Sequence, residues 1–281
     1  MLFGAICALS VVITVLVCCF GGGHGLALLW IAPLSLIGSY VGLVLLAIGV
    51  LWLITAPVDL KVPQEEDSPF FRKLTSLYID LICPVLRMRV HAQGMDKVPA
   101  EGRFLLVCNH LFDFDPVVLL GWFRNCQLAF ISKWENSSMF VVGKLMHKLS
   151  CQLINRENDR EALKTILKCI QMLKEDRVSV AVFPEGYTSV DGRLHKFRPG
   201  VFKIALKAQV PIVVCTITNT NRVMHNILRL KPTDIQLHVV DVIPPEALKG
   251  RTAVDISEQV HGMMLQDLGP DFAPLEETEE A

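Results

Sequence analysis

Apolar residues fill the first 58 positions almost without a break, and no Asp, Glu, Lys or Arg occurs before Asp59. Residues 1–20 are interrupted only by Ser10 and Thr14, a run long enough to cross a hydrocarbon core of about 30 Å. Gly21-Gly22-Gly23-His24-Gly25 reads as a turn, and Leu26 to Pro57 forms a second apolar stretch, interrupted by Pro33 and closed by Pro57-Val58-Asp59. The pattern predicts a hairpin of two membrane helices, about 2–20 and 34–56, with both ends on the side of the remaining chain. A pair that dips into one leaflet without crossing satisfies the same pattern. A signal peptide would begin with basic residues, and none precedes the first run.

The pattern then changes to a helical period. Ser68 and Pro69 make a helix start, and Phe70, Leu74, Leu77 and Leu81 follow at helical spacing, a stripe expected to lie on the membrane surface to which the hairpin holds it. From Met88 onward short apolar runs alternate with helical segments. Strands are expected at about 88–92, 104–108, 127–131, 151–154, 178–183, 211–217 and 235–241, and helices at 116–124, 138–148, 158–174, 200–208 and 251–267. Alternation of this kind predicts the α/β class: a mostly parallel sheet flanked by helices, preceded by an N-terminal membrane helical hairpin. The chain divides into a transmembrane or membrane-embedded hairpin over 1–58, an amphipathic connecting helix over 59–87, one α/β domain over 88–270, and an acidic disordered tail over 271–281.

Charge and cysteine content narrow the function. The net charge of −1 and the lack of interleaved basic and aromatic residues argue against nucleic acid as a partner. Six acidic and no basic residues lie from Asp267 onward, so the rest is basic, which suits anionic lipid surfaces or phosphorylated substrates. Nine cysteines with no C-x-x-C pair do not make a zinc or redox framework; Cys7, Cys108 and Cys215 sit in apolar runs and read as buried hydrophobes in a reducing setting. Neither H-E-x-x-H nor clustered Cys and His occurs, so no metal is expected.

Candidate chemistry gathers at two corners. Asn109-His110-Leu111-Phe112-Asp113-Phe114-Asp115-Pro116 directly follows the buried strand 104–108, with Asp115 expected as a helix N-cap and Pro116 at the first helical position. His110 and Asp115 are five apart, which no regular helix brings together but a strand–turn–helix corner can. An imidazole oriented by a carboxylate is a general base able to take a proton from an alcohol near neutral pH. Asp113 is a rival for Asp115, read as a solvated turn residue. His91 and Asp96 have the same spacing in a glycine-containing strand exit. The second corner, Phe183-Pro184-Glu185-Gly186-Tyr187-Thr188-Ser189, follows strand 178–183. Because ligand sites in parallel sheets form at the carboxyl ends of strands, the two corners are expected to face one cleft. Gly186 permits close backbone approach, and its amide, or the helix start at Pro116, is a candidate oxyanion donor. Glu185 is expected to order its loop and contact substrate. Lys133 follows strand 127–131 and can reach the cleft, and Arg193, Lys196, Arg198, Lys203 and Lys207 form a basic run.

In these residues the chain resembles the lysophosphatidic acid acyltransferase family (1-acyl-sn-glycerol-3-phosphate acyltransferases) over about 85–245. Asn109-His110…Asp115 resembles its catalytic N-H-x4-D block. Ile154-Asn155-Arg156 resembles a block ending in a phosphate-contacting Arg. Phe183-Pro184-Glu185-Gly186…Ser189 resembles its acceptor-binding F-P-E-G-T-R-S, and Val210-Pro211-Ile212-Val213 its fourth block. Two positions depart from the pattern: Tyr187-Thr188 stands in place of Thr-Arg, and Phe112 in place of a Ser. Thr188 can hydrogen-bond a phosphate but lacks the two-pronged ionic contact of Arg, for which Arg156, Arg193, Lys196 or Arg198 would have to compensate. The resemblance implies His110 and Asp115 as catalytic residues, with Asn109, Arg156, Glu185, Gly186 and Ser189 binding substrate; Lys133, from its place beside the cleft or else a solvated lysine, and Thr188, from its hydroxyl, join the substrate-binding candidates. It implies no cofactor, acyl-CoA or acyl carrier protein as donor, a lysophospholipid acceptor, and a place in the cell membrane with the catalytic domain on the cytoplasmic side. A lipid hydrolase using the same His/Asp pair is one rival, although no G-x-S-x-G elbow occurs and Cys108 is expected to point into the strand's packing. A membrane-tethered lipid-binding protein without catalysis is the other.

Overall fold

The computed structural model describes residues 1–22, 25–64, 66–156 and 158–274. Two long apolar helices come first, α1 (Leu2–Phe20) and α2 (Leu28–Thr55), each long and apolar enough to cross a membrane. The second starts six residues before the expected 34, because Pro33 removes one donor from the ladder without ending the helix. Residues 23 and 24 of the expected turn lie outside the described residues. The two helices pack on each other, and the Ser39 hydroxyl on α2 donates to the Ser10 carbonyl on α1 at 3.4 Å.

Helix α3 (Pro69–Val85) joins this hairpin to the domain and corrects the membrane-surface expectation. Leu74, Tyr78 and Leu81 pack against Ile6 and Leu51 of the hairpin, whereas Ile79 and Cys83 pack into the sheet. Both sides of the helix therefore find protein partners, and of the expected stripe only Phe70 is exposed. The Tyr78 hydroxyl donates to the Ala47 carbonyl at 2.6 Å.

The domain is built on seven strands: β1 (Met88–Gln93), β2 (Leu105–Cys108), β3 (Leu128–Lys133), β4 (Gln152–Ile154), β5 (Ser179–Val182), β6 (Ile212–Thr218) and β7 (Thr233–Ile243). Their order in the sheet is β1-β7-β6-β2-β5-β3-β4. The five strands from β6 to β4 are parallel; β7 pairs antiparallel with β6, and β1 runs parallel to β7. The mostly parallel expectation holds, with the reversal confined to one side.

Strand β2 is wholly buried, and its period-two side chains supply two cores. Leu105 and Val107 join Val180, Val182, Ile212 and Val214 beneath α6 (Asp159–Lys174), α7 (Lys203–Ala208) and α9 (Ala253–Leu268). Leu106 and Cys108 join Ala181, Val213 and Cys215 beneath α3 and α4 (Asp115–Trp122). Local chemistry sets the helix ends: the Asn158 side chain accepts from the Arg160 and Glu161 amides at the start of α6, and Thr252 and Asp255 form a capping box on α9. The expected helix 138–148 resolves into a 3-10 turn over Trp134–Ser138 and α5 (Val142–Lys148), and α8 (Val223–Leu228), absent from the expectation, fills the connection to β7. Of the acidic tail, Pro270–Phe272 forms a 3-10 turn whose Phe272 carbonyl accepts from Leu194 at 2.8 Å, and residues 275–281 lie outside the described residues.

The hairpin projects from a definite end of the sheet. Helix α3 starts beside the end of α5, where Ser68 N–H donates to the Lys148 carbonyl, and ends where β1 begins, level with the carboxyl end of β6. Helix α2 runs the other way: its Trp52 stacks on Phe140 just before α5, and Lys144 donates to the Ala56 carbonyl. The earlier part of α2 thus extends beyond the carboxyl ends of the five parallel strands.

Replacing Tyr78 with Phe is expected to lower stability by about 1 kcal/mol, the usual net worth of one hydrogen bond. Leu106→Ala, at a side chain buried between sheet and helices, is expected to cost about 2–5 kcal/mol. Thermal unfolding of the detergent-solubilised chain checks both.

Candidate active site

Three strand ends meet at the cleft. Asn109 follows β2 and is buried; its side-chain amide donates to the Ile217 carbonyl at 2.9 Å and accepts from Ile217 N–H at 2.8 Å, pinning the end of β2 to β6. His110 comes next. Its peptide N–H donates to Glu185 Oε1 at 3.0 Å, and its carbonyl accepts from Ser189 N–H at 2.8 Å. The 183–189 block thereby grips the His110 backbone from both sides.

The imidazole is held as firmly. His110 Nδ1 lies 2.8 Å from Asp115 Oδ2, and the same oxygen accepts from the Leu111 and Phe112 amides at 2.7 and 2.9 Å. Asp115 is fully buried and is the first residue of α4; the N-cap position belongs to Phe114, so Asp115 folds back on the turn before it instead of capping the helix. Oδ2 is thus the shared acceptor of this turn, and an acceptor facing Nδ1 selects the tautomer with hydrogen on that nitrogen. The Phe183 ring stacks on the imidazole at 4.1 Å and 14°. Nε2 has no hydrogen-bond partner among the described residues.

Glu185 is 1% exposed. Burial pushes its carboxyl above the usual range, opposed by amide donors from His195 and His110. Gly186 has φ +83°, and a Cβ there would stand 2.8 Å from Nε of Arg198. Its own N–H already donates to the Phe183 carbonyl at 3.1 Å, which corrects the expectation that this amide serves an oxyanion. The Tyr187 and Thr188 amides have no acceptor among the described residues. Thr188 is half-buried, and the hydroxyl of buried Ser189 is spent on Asp191 and the Arg193 carbonyl.

Positive charge reaches the site from two directions. Arg156, just after β4, is half-buried; burial and then neighbouring Arg198 lower its pKa, with Glu135 opposing. The Arg198 side chain has no hydrogen-bonded partner among the described residues. Arg193 instead donates to the Asp271 and Ala273 carbonyls, and Lys196 is exposed. Lys133 stands exposed at the end of β3. Of the remaining candidates, Asp113 is exposed, and His91 pairs with Asp234 at 3.1 Å instead of Asp96. Cys108 lies in the sheet core with its thiol pushed up by burial.

Sequence reading missed the Phe183 stack and the role of His195, whose Nε2 lies 2.8 Å from Asp191 and whose ring meets Tyr187 at 5.6 Å. The signal for the first was present: Val182 packs in the core beneath α6 and α7, so Phe183 turns to the opposite face, with the residues beneath α3 and α4.

Residues 89–218 match the family model Acyltransferase. The chain is 26% identical over 199 residues to a probable 1-acyl-sn-glycerol-3-phosphate acyltransferase of Mycoplasma pneumoniae, covering 68% of this chain and 74% of that protein. It is 33% identical over 140 residues to a protein of the same description from Mycoplasma genitalium, covering 48% of this chain and 52% of that one. The crystal structure of the 1-acyl-sn-glycerophosphate (LPA) acyltransferase of Thermotoga maritima matches with a TM-score of 0.59 at 23% identity, covering 70% of this chain and 78% of that one. At that identity the likeness is one of fold.

Asn109→Ala is expected to cost about 1–3 kcal/mol, since both polar groups of Ile217 lose their partner in a dry site. Asn109→Asp is expected to lose stability as well, because its second oxygen would face the Ile217 carbonyl. Chemical denaturation of both variants checks this.

Proposed function

We propose that the protein, whose residues 89–218 match the family model Acyltransferase, is a membrane-bound enzyme of the lysophosphatidic acid acyltransferase kind that moves an acyl chain from a thioester donor, acyl-CoA or acyl carrier protein, to the free hydroxyl of a lysophospholipid. The acceptor favoured is 1-acylglycerol-3-phosphate, giving phosphatidic acid. The observation that carries this reading is the contact of His110 Nδ1 with Asp115 Oδ2 at 2.8 Å, which leaves Nε2 without a protein partner.

In this mechanism Nε2 of His110 takes the proton of the acceptor hydroxyl as its oxygen attacks the thioester carbonyl. Asp115 holds the tautomer and stabilises the imidazolium that forms. The unpaired Tyr187 and Thr188 amides receive the oxyanion, the role first expected of Gly186. Collapse of the tetrahedral species breaks the carbon–sulfur bond; the thiolate leaves and the imidazolium returns its proton, so no covalent enzyme intermediate forms. Arg156 and Arg198 stand near enough to repel each other, a repulsion that Glu135 offsets in part and that an acceptor phosphate would relieve. Arg198 thus supplies the charge absent at Thr188, and Lys133 stands further out at the same end. The hairpin anchors the enzyme in the cell membrane, a reading supported by the length and apolar character of α1 and α2, and on this reading the catalytic domain lies on the cytoplasmic side.

Purified protein in liposomes, given acyl-CoA and acyl carrier protein donors with lysophosphatidate, glycerol-3-phosphate and neutral or amino lysolipids, is expected to form a diacyl product detectable by mass spectrometry. His110→Ala should lower turnover by at least ~10²–10⁴-fold. Full activity in that variant, or free fatty acid as the sole product, would overturn the proposal. Arg198→Ala is expected to raise KM for phosphate-bearing acceptors by ~10-fold or more, the worth of one charge-assisted hydrogen bond, and to leave neutral acceptors unaffected.

A further inference from the structure

The connection between β6 and β7 carries exposed apolar side chains at the cleft end of the sheet. Met224, Leu228 and Leu230 are 46%, 83% and 76% exposed, and only Val223 of α8 is buried. Around them stand exposed Arg222, Arg229, Lys231, Arg87 and Arg89, and no acidic residue occurs between 220 and 233. The nearest acid, Asp234, is taken by His91. Leu230 also occupies a conformation that leucine avoids. It has φ +55°, its N–H donates to the Ile227 carbonyl, and Lys231 N–H donates to the Asn226 carbonyl. This is the Schellman arrangement, in which glycine normally fills the left-handed position. A leucine there strains the backbone and exposes its side chain to water. The Arg87 guanidinium donates to the Leu230 carbonyl and holds the turn in place.

Position decides what this feature fits. Strands β6 and β3 flank the central β2–β5 pair that carries His110 and Glu185. Beyond β3, exposed Trp134, Met139 and Phe140 continue the hairpin's apolar surface, Phe140 stacking on Trp52. Beyond β6, on the other side of the cleft, stands the basic, leucine-bearing turn. The apolar part of α2 projects from this same end.

We propose that α8 and the 228–231 turn form a second contact with the membrane, on the β6 side of the cleft, across from the Trp134 and Phe140 side chains beyond β3, with Leu228 and Leu230 inserted among the headgroups of anionic phospholipids and the basic ring pairing with their phosphates. The inference rests on the membrane-bound reading above and adds to it that the cleft faces the bilayer surface, held at two points instead of one. A single-point anchor leaves the domain free to tilt; two points hold His110 at the depth of a lysolipid's hydroxyl. Basic residues near an anionic surface and leucines at its interface both favour such docking.

The test uses the full chain reconstituted in vesicles with and without about one-third anionic phosphatidylglycerol, compared with neutral detergent micelles. Flotation reports whether the chain is in the membrane, and hydrogen exchange reports on 226–231. Exchange in this segment is expected to slow about tenfold in anionic vesicles relative to micelles, and Leu228→Ser with Leu230→Gly should abolish the difference. Because glycine relieves the strained conformation, Leu230→Gly alone should keep or raise the melting temperature in detergent while lowering turnover on vesicle-embedded acceptor several-fold. Its turnover on a short-chain, water-soluble acceptor should not change. Arg229→Ser with Lys231→Ser should remove the preference for anionic vesicles. A chain that floats with the vesicles but shows unchanged exchange at 226–231 would overturn the second contact and leave the anchor standing. A chain that does not float would overturn both.

Discussion

A carboxylate sealed inside the domain, Glu185, joins the two halves of the candidate site. One oxygen takes the amide of His110 at the end of β2, and the other takes the amide of His195 in the segment leading towards α7. Burying such a group is costly, and its raised pKa shows that the two donors recover only part of the cost. What the protein gains is fixed spacing. The chain on either side of the cleft can move apart only by exposing two amides and a carboxylate at once, so the backbone at His110 and that at His195 are held as one body.

Around that tie the other contacts fall into an order. Asn109 secures β2 to β6, Ser189 secures the His110 carbonyl, and Asp115 orients the ring. Asn109 and Asp115 act through side chains with little or no access to water and Ser189 through its peptide N–H, each committed to backbone or to the imidazole. Residues that face the cleft with unspent hydrogen-bonding capacity are few by comparison. The Tyr187 and Thr188 amides and the Arg198 guanidinium belong to that second class. This division separates the groups that build the site from those available to a substrate.

Much of this was legible from the chain. Burial on both faces of β2, β5 and β6 follows from unbroken apolar runs, and the two corners lie where strand ends were expected because parallel strands must deliver their loops to one end. The His110–Asp115 pair was readable, and its distinction from His91 and Asp96 was not, since identical spacing carries no information about whether a turn bends the two together. Gly186 shows a second limit. Its glycine signal was read as an approach for substrate, whereas its amide is consumed within the turn and its missing side chain makes room for Arg198. The stripe on α3 shows a third: periodicity announces an apolar face but says nothing about what covers it, and here hairpin and sheet cover opposite sides of one helix.

Arg198 reaches the cleft by its side chain alone. Its peptide N–H bonds to the Pro184 carbonyl, a contact that any residue but proline keeps. Cleft charge and scaffold integrity are consequently separable in this fold: the charge presented over Gly186 can be altered, shortened or removed without loosening the backbone that holds His110. On the proposed reading of Arg198, one acceptor is exchanged for another through a single position outside the conspicuous F-P-E-G block, and motif comparison confined to that block would record a loss of specificity where there has been a relocation.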